Sequence, residues 1–268
     1  MIKEIECSRV INKSKLPEAD FVVNPFVGCL HNCAYCYARF MKRFTGHTEP
    51  WGTFVDVKKN IGPKTKNEIG KIPHGSTILL SSVTDPYQPI ERKYRVTRAF
   101  LENVIGEDVC ISVLTKSSLV ERDIDLFRQI GDISVGLSFS SHDDQVRRVF
   151  EPGTSSVESK VNTLVKLNKE NLSTYAFLGP ILPEITDLEA VFRMLSATGV
   201  GLVMVENLNI RGAVFPSLMK TISQHFPHLE KTYVQIKEDP KTYWEPIKAK
   251  VLTLSKRYKL PIMIYFDH

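Results

Sequence analysis

Three cysteines stand close together near the start of the chain, Cys29, Cys33 and Cys36, in the spacing C-x3-C-x2-C. Three thiolates on one short loop can hold a metal centre. A structural zinc ion takes four protein ligands, and His31 is the candidate for the fourth, which would give a Cys3His site. An iron–sulfur cubane usually takes four thiolates, so a set of three leaves one iron open to a substrate or cofactor.

The spacing favours an iron–sulfur centre over zinc, because the common zinc pattern is a C-x2-C pair followed by a second pair. A disulfide is disfavoured because the cysteines in the cluster are odd in number and no secretion signal precedes them. The other two cysteines, Cys7 and Cys110, lie far away in the sequence. The cluster therefore predicts an open iron–sulfur centre, with the Cys3His zinc site as the alternative.

The string CLHNCAYC, residues 29–36, resembles the signature of the radical S-adenosylmethionine (radical SAM) superfamily, in which an aromatic residue, here Tyr35, precedes the last cysteine. The flanking residues 24–25 and 37–39 are similar to the branch that contains spore photoproduct lyase and its uncharacterised relatives. The resemblance implies that the three thiolates bind three irons of a 4Fe–4S cluster. It also implies that SAM chelates the fourth iron through its amino and carboxylate groups.

The activity that this resemblance implies is reductive cleavage of SAM. The reduced cluster passes one electron to SAM, and the products are methionine and a 5′-deoxyadenosyl radical that removes a hydrogen atom from the substrate. The chain is thus expected to be an enzyme, a lyase or a catalyst of related radical chemistry. It would need an electron donor such as flavodoxin or ferredoxin.

The composition is that of an ordinary globular protein: 268 residues, 43% hydrophobic and 24% charged, with a net charge of +5. We expect a single radical SAM domain over residues 1–268. No apolar run is long enough to span a bilayer, so no membrane association is expected. The first residues, MIKEIECSRV, contain no hydrophobic segment of a signal peptide, and unpaired cysteines suit a reducing compartment. These features predict a cytoplasmic protein.

A repeated pattern of an apolar strand, a polar tip and a helix runs along the chain about six times. The predicted strands cover residues 21–23, 76–83, 109–114, 133–139, 172–178 and 201–205. This is the βα pattern of a parallel sheet with helices outside it. The radical SAM core is similar, so the expected fold is α/β, a partial (β/α)6 TIM-like barrel with the cluster loop after the first strand. Residues 45–75 read as a loop-rich insertion, and a C-terminal helix–strand extension begins at about 210.

Polar residues at the strand ends are candidates for binding SAM, because the carboxyl ends of barrel strands carry the chemistry. Thr84 follows the second strand, where the photoproduct-lyase-like branch has a Thr/Ser-Asp pair near the amino acid part of SAM. Asp85 either contacts SAM or orders the loop, since Asp-Pro readily forms turns. By the same resemblance, Tyr35 would position the adenine through its backbone.

Three further strand-end residues complete the predicted SAM site. Lys116 ends the third strand, where a cation would pair with the SAM carboxylate, as the family similarly places a lysine there. Ser138 and Ser140 end the fourth strand, and residues two apart on a strand face the same side, so either could reach SAM. The string 151–153, Glu-Pro-Gly, also resembles the family but is interpreted as structural, and Lys160 lies on the next helix where relatives often carry a basic residue.

The substrate is left open by the sequence. Spore photoproduct lyase has a hydrogen-donating cysteine just ahead of its second-strand Ser-Asp, whereas residues 81–85 here read SSVTD. The photoproduct-lyase reaction in that form is therefore not expected. The branch and the mild positive charge favour a nucleic acid or nucleotide substrate. The alternatives are a peptide or small metabolite substrate, or a non-enzymatic Cys3His zinc protein.

Overall fold

The computed structural model describes residues 1–266, and its strands are numbered here in chain order. They are β1 (Ile2–Ile5), β2 (Asn12–Lys13), β3 (Phe21–Val23), β4 (Phe26–Val27), β5 (Val55–Lys58), β6 (Ser76–Leu80), β7 (Val109–Thr115), β8 (Asp132–Phe139), β9 (Ser173–Leu178), β10 (Leu202–Glu206) and β11 (Ile262–Tyr265).

The helices are numbered in the same way. The α-helices are α1 (Ile61–Glu68), α2 (Glu91–Tyr94), α3 (Val96–Glu102), α4 (Ile124–Phe127), α5 (Asp144–Phe150), α6 (Val157–Lys169), α7 (Leu188–Ser196), α8 (Val214–His225), α9 (Glu230–Glu238) and α10 (Pro240–Tyr258). Shorter 3₁₀ segments cover Tyr37–Phe44, Ile69–Lys71, Ser118–Asp123 and Pro227–Leu229. None of the helices in the part of the chain described is both long enough and apolar enough to cross a membrane.

The main sheet has eight strands within residues 1–266, in the order β11-β10-β9-β8-β7-β6-β3-β2. Neighbours from β3 to β11 are parallel, and only the edge pair β2–β3 is antiparallel. Six strands of this sheet are those predicted from the sequence: β3, β6, β7, β8, β9 and β10. Helical segments connect each of them to the next. The order is linear and β2 does not pair with β11 among the described residues. The fold is therefore a partial (β/α)6 barrel of TIM type, as predicted.

The strands form here because their side chains are apolar and often β-branched, and both faces of the sheet are covered. Val113 of β7, Val135 and Leu137 of β8, Ala176 of β9 and Val203 of β10 are completely buried. The helices pack outside, and polar side chains from successive strands meet at the carboxyl ends of the parallel strands.

A second, smaller sheet was not predicted. Within the described residues it contains β1, β5 and β4, with β5 parallel to β1 and antiparallel to β4. The strand β5 lies inside the segment 45–75 that the sequence marks as loop-rich, and its Val55 and Val57 are completely buried. Four residues are too few to show a period, and the partners of β5 lie about 30 and 50 residues earlier in the chain. This sheet packs the segment 45–75 against the loop that follows β3.

The C-terminal part of the chain contains α8, α9, α10 and β11. The sequence predicts helices near 214–225 and 243–258 and a strand at 261–265, and it misses α9. Asp239 begins α10 earlier than predicted, because its side chain accepts a hydrogen bond from the Thr242 amide. The strand β11 extends the main sheet by pairing with β10.

Gly136 of β8 allows an aromatic ring to lie across the sheet. A Cβ atom at this position would stand 2.2 Å from the ring of Tyr175, whose hydroxyl donates to the Val113 carbonyl on β7. We expect Gly136→Ala to lower the free energy of unfolding by about 1–3 kcal/mol, because the ring must shift in a packed interior. Urea denaturation measures this. The matched control is Gly131→Ala, where no atom lies within 4 Å, and equal stability of the two variants would contradict the prediction.

Candidate functional site at the cysteine loop

The loop that follows β3 carries the three cysteines, and backbone and side-chain groups of residues 82–88, just after β6, hold its start. The Asn24 side chain accepts hydrogen bonds from the amides of Ser82 and Val83 at 3.0 and 3.1 Å. The Gly28 carbonyl accepts from the Thr84 hydroxyl at 2.6 Å and from the Gln88 side chain at 3.2 Å. Gln88 also accepts from the Leu30 amide. The loop is therefore anchored to the segment 82–88 before it reaches the cysteines.

Gly28 cannot be replaced by a larger residue without moving the loop. Its φ of +87° is a conformation that other residues rarely adopt, and a Cβ atom there would stand 2.4 Å from the Phe54 carbonyl. The backbone of residues 51–54 thus approaches the cysteine loop closely. Trp51 and Phe54 pack against Cys29 and Cys36 in a small apolar cluster.

The three cysteines are shielded from solvent. Cys29 and Cys33 are buried and Cys36 is half-buried. Burial raises the pKa of all three thiols above the ordinary value, and the nearby carboxylates of Asp85 and Glu151 act in the same direction on Cys29 and Cys33 respectively. Thiolates at these positions need positive charge beside them, which bound irons would supply.

Both ring nitrogens of His31 face other groups of the protein. Its Nδ1 lies 2.7 Å from the Gly153 carbonyl and its Nε2 lies 3.2 Å from Asp85. The Gly153 amide in turn donates to the His31 carbonyl, and a Cβ atom on Gly153 would stand 2.3 Å from the Leu30 carbonyl. Both ring nitrogens face protein groups, so His31 does not complete a Cys3His set in this arrangement.

Asp85 connects the ends of β6 and β7 through hydrogen bonds. Its carboxylate accepts hydrogen bonds from the amide of Tyr87, the hydroxyl of Thr115 and the amide of Lys116, at 2.6–2.8 Å. Burial acts to raise the pKa of Asp85, but His31 and these hydrogen bonds outweigh it, and the pKa is lower than usual. Of the two roles that the sequence leaves open for Asp85, these contacts favour the ordering of the loop.

A buried ionic network connects the cysteine loop to β7 and α6. Glu151 is completely buried, and its carboxylate lies 3.0 Å from the Lys116 ammonium and 3.5 Å from that of Lys160. The Tyr35 hydroxyl donates to the same carboxylate. Burial acts to raise the pKa of Glu151, but the two lysines outweigh it and hold the pKa far below the ordinary range. The network fixes Tyr35, and hence the segment between Cys33 and Cys36, above the strand ends.

The structure brings the predicted SAM residues to one edge of the sheet, but most of them bind protein groups. Thr84 donates to Gly28, and Lys116 donates to Ser138 at 2.7 Å as well as to Glu151. Tyr35 is held by Glu151. Ser140 differs from the others: its buried hydroxyl lies beside the Tyr35 phenol but makes no well-formed hydrogen bond.

Five side-chain atoms in residues 1–266 are buried without a well-formed hydrogen bond. One is His31 Nε2, which faces the Asp85 carboxylate at 3.2 Å, and the others are Trp51 Nε1, Ser81 Oγ, Ser140 Oγ and Asn207 Oδ1. Ser81, Ser140 and Asn207 directly follow or lie just beyond the ends of β6, β8 and β10. Buried polar atoms are normally paired, so an unpaired set at one rim of a barrel fits a polar ligand seated there. Hydroxyl and amide oxygens are acceptors that suit an ammonium or a ribose.

The site includes residues that the sequence does not single out as ligand-binding. Glu151 is the centre of the ionic network, although its string resembles the family and is interpreted only as structural. Asn207 follows a predicted strand, and the same reasoning that selects Ser138 could have selected it. No sequence pattern points to Trp51, because the segment around it has no regular spacing of apolar residues.

The donor set fits a cluster better than a single ion. No group of three or more His, Cys, Asp or Glu side chains in the described part of the chain is arranged to hold one metal ion. The thiolates of a cubane each bind a different iron, so they need not converge on one point. Three cysteines on one loop, with His31 engaged elsewhere, are a donor set that would fit a cluster with one open iron.

The model of the Radical SAM superfamily matches residues 23–195, which is more than half of the chain. This chain is a member of the radical SAM superfamily. It is therefore an enzyme of SAM-dependent radical chemistry, as the motif predicts. The matched region begins at the end of β3 and includes the cysteine loop, the ionic network and the strand ends from β6 to β9.

Several other proteins and solved structures are similar over most of the chain. An uncharacterised protein of Methanocaldococcus jannaschii is 38% identical over 190 residues, which are 71% of each chain. A radical SAM Nalpha-GlyT isomerase of Pseudomonas phage M6 is 24% identical over 88% of this chain and 51% of that protein. The structure of spore photoproduct lyase with dinucleoside spore photoproduct has a TM-score of 0.70 at 17% identity, over 99% of this chain and 82% of that one. The last likeness supports the fold.

Glu151→Gln should destabilise the protein, because two buried ammonium groups lose their common counter-ion. We expect a loss of about 3 kcal/mol in the free energy of unfolding at pH 7. The depressed pKa of Glu151 means that its contribution is present above about pH 4.3 and is lost as the pH falls below that value. The difference between wild type and variant should therefore narrow below about pH 4.

Denaturant titrations between pH 3 and pH 8 test this prediction. The control is Glu107→Gln, since Glu107 is exposed, and it should change stability by less than about 0.5 kcal/mol. A Glu151→Gln variant as stable as the control at pH 7 would show that the carboxylate charge is not needed between the lysines.

Proposed function

We propose that the chain binds a 4Fe–4S cluster through Cys29, Cys33 and Cys36 and cleaves SAM reductively to abstract a hydrogen atom from a substrate. The observation that carries this proposal is the set of three cysteines on one loop at the rim of the barrel, two of them buried and one half-buried, in a chain of this superfamily. When bound, the cluster supplies one electron to SAM, which gives methionine and a 5′-deoxyadenosyl radical. The electron comes from a low-potential one-electron donor such as flavodoxin or ferredoxin.

The protein's part is to hold and orient SAM. We assign its contacts to Tyr35, Thr84, Asp85, Lys116, Ser138 and Ser140, with Asn207 added. Ser140 and Asn207 are the best candidates for direct contact, since their oxygens are unpaired. Lys116 would act on the SAM carboxylate mainly through charge, because its hydrogen bonds go to Ser138 and Glu151. Thr84 and Asp85 would act mainly by holding the cysteine loop in place.

The substrate class that we favour is a nucleic acid with an unstacked base. The 3₁₀ segment Tyr37–Phe44 follows the cysteines directly, and three of its aromatic side chains are exposed: Tyr37 by 50%, Phe40 by 39% and Phe44 by 66%. The Arg43 guanidinium lies 4.7 Å from the centre of the Phe44 ring. Exposed aromatic rings beside basic groups are the surface on which bases stack and phosphates bind.

A small anionic metabolite is the second candidate, and a different surface favours it. A cavity of about 460 Å³ lies just beyond β10, with Phe215 and Pro216 in its wall and Arg211 and Lys237 at its edge. The Lys237 ammonium lies 4.3 Å from the centre of the Phe215 ring. A cavity of this size with two cations suits a compact anion rather than a polymer.

Cys33→Ala should abolish SAM cleavage, because the cluster loses one of its three thiolates. The measurement is the yield of 5′-deoxyadenosine after anaerobic reconstitution with iron and sulfide and addition of dithionite and SAM. We expect a fall of at least about 100-fold, down to background. Cys110→Ala, which changes a cysteine outside the loop, is the control and should retain the wild-type yield. Normal cleavage by Cys33→Ala would overturn the assignment of the cysteines.

Phe44→Ser should weaken binding of single-stranded oligonucleotides by about 1–2 kcal/mol, because one stacking surface is lost. Fluorescence anisotropy at several salt concentrations measures this, and wild-type affinity should fall steeply as salt rises. The control is Val234→Ser on α9, which removes another exposed apolar side chain and should bind like wild type. Binding that is absent or indifferent to salt would favour the metabolite.

A further inference from the structure

The indole of Trp51 is a buried donor that faces one of the cysteines. Trp51 is only 8% exposed, and its Nε1 has no well-formed hydrogen bond in residues 1–266. The ring packs in the apolar cluster that contains Cys29 and Phe54 and against which Cys36 packs. The indole acts on the Cys36 thiol to lower its pKa, against the larger effect of burial. A buried N–H without an acceptor is costly, by the equivalent of a lost hydrogen bond, so its position calls for an explanation.

The segment that carries Trp51 is held firmly against the cysteine loop. The next residue, Gly52, has a φ of +94°, and a Cβ atom there would stand 2.0 Å from the Asn32 side chain. Phe54 stacks on His47, with 3.9 Å between ring centres, and His47 bonds to the buried Asp56 of β5 at 2.9 Å. These contacts fix the position of the indole, because both sides of the turn 51–54 are packed.

We propose that Trp51 is a positioning residue that donates its indole N–H to the Cys36 sulfur when Cys36 binds the cluster, and thereby raises the reduction potential of the cluster. A thiol sulfur is a weak acceptor, whereas a thiolate bound to iron carries more negative charge and accepts more strongly. Hydrogen bonds to cluster sulfurs are among the features that set the potential. A donor stabilises the more negative, reduced state. The inference rests on the proposed function, since it concerns the same cluster.

Trp51→Phe separates this role from packing, because it keeps an aromatic ring and removes the N–H. In reconstituted protein without SAM, we expect the ratio of reduced to oxidised cluster at a fixed potential to fall about tenfold, which is about 59 mV for one electron. Redox titration followed by electron paramagnetic resonance measures this. The matched control is Trp244→Phe, in the C-terminal helix α10, which should titrate like wild type. Equal potentials for all three proteins would overturn the proposal.

A second measurement leaves Trp51 in place, in case Trp51→Phe fails to assemble a cluster. The chain has two tryptophans, so Trp51 is the only one left in Trp244→Phe. Its fluorescence should be almost fully quenched when the cluster is reconstituted, because the indole lies in the apolar group of side chains that includes Cys29 and packs against Cys36. Emission that persists would show that Trp51 lies away from the cluster and would overturn the proposal. A wild-type protein that takes up no iron and sulfide would instead refute the proposed function itself.

Discussion

The carboxylate of Glu151 is the one charge on which the geometry of the site depends. It is completely buried between the ammonium groups of Lys116, which directly follows β7, and Lys160 from α6. Its third partner, the Tyr35 hydroxyl, belongs to the cysteine loop. A buried charge is stable only when it is paired and hydrogen-bonded. The loop therefore cannot leave the strand ends without exposing the carboxylate or separating it from a partner, and the frame of the site is set by this requirement.

The ionic network of Glu151, Lys116 and Lys160 also affects which charges are stable beside it. Two ammonium groups share one carboxylate, so the network carries a net positive charge, and Lys116 lies close enough to Cys33 to stabilise a thiolate there. Burial nevertheless keeps the thiols neutral when no metal is bound, since it raises the pKa of each one. Iron binding would release these protons and place three thiolates beside the surplus cation. Metal binding and the local charge balance are thus coupled.

The sequence predicts the sheet and the cysteines well because both depend on neighbouring residues. Strands such as β7 and β8 show as apolar runs followed by polar tips, and the spacing of Cys29, Cys33 and Cys36 is itself the motif. What it does not predict depends on contacts between distant segments. The strand β5 is stabilised by partners from the first 27 residues. Trp51 reaches the cysteines because the turn that carries it folds back onto the cysteine loop. The sequence around this turn has no hydrophobic periodicity that would predict such a contact.

The strand-end residues divide into two groups that the sequence cannot separate. Thr84, Asp85 and Lys116 have polar atoms that bind other protein groups, and they build the frame. Ser140 and Asn207 have oxygens left unpaired, and these are the atoms that a ligand would satisfy. The exposed aromatic residues of the segment Tyr37–Phe44 belong to neither group. Side chains on that surface lie outside the ionic network, so they can change while the frame of the site stays the same.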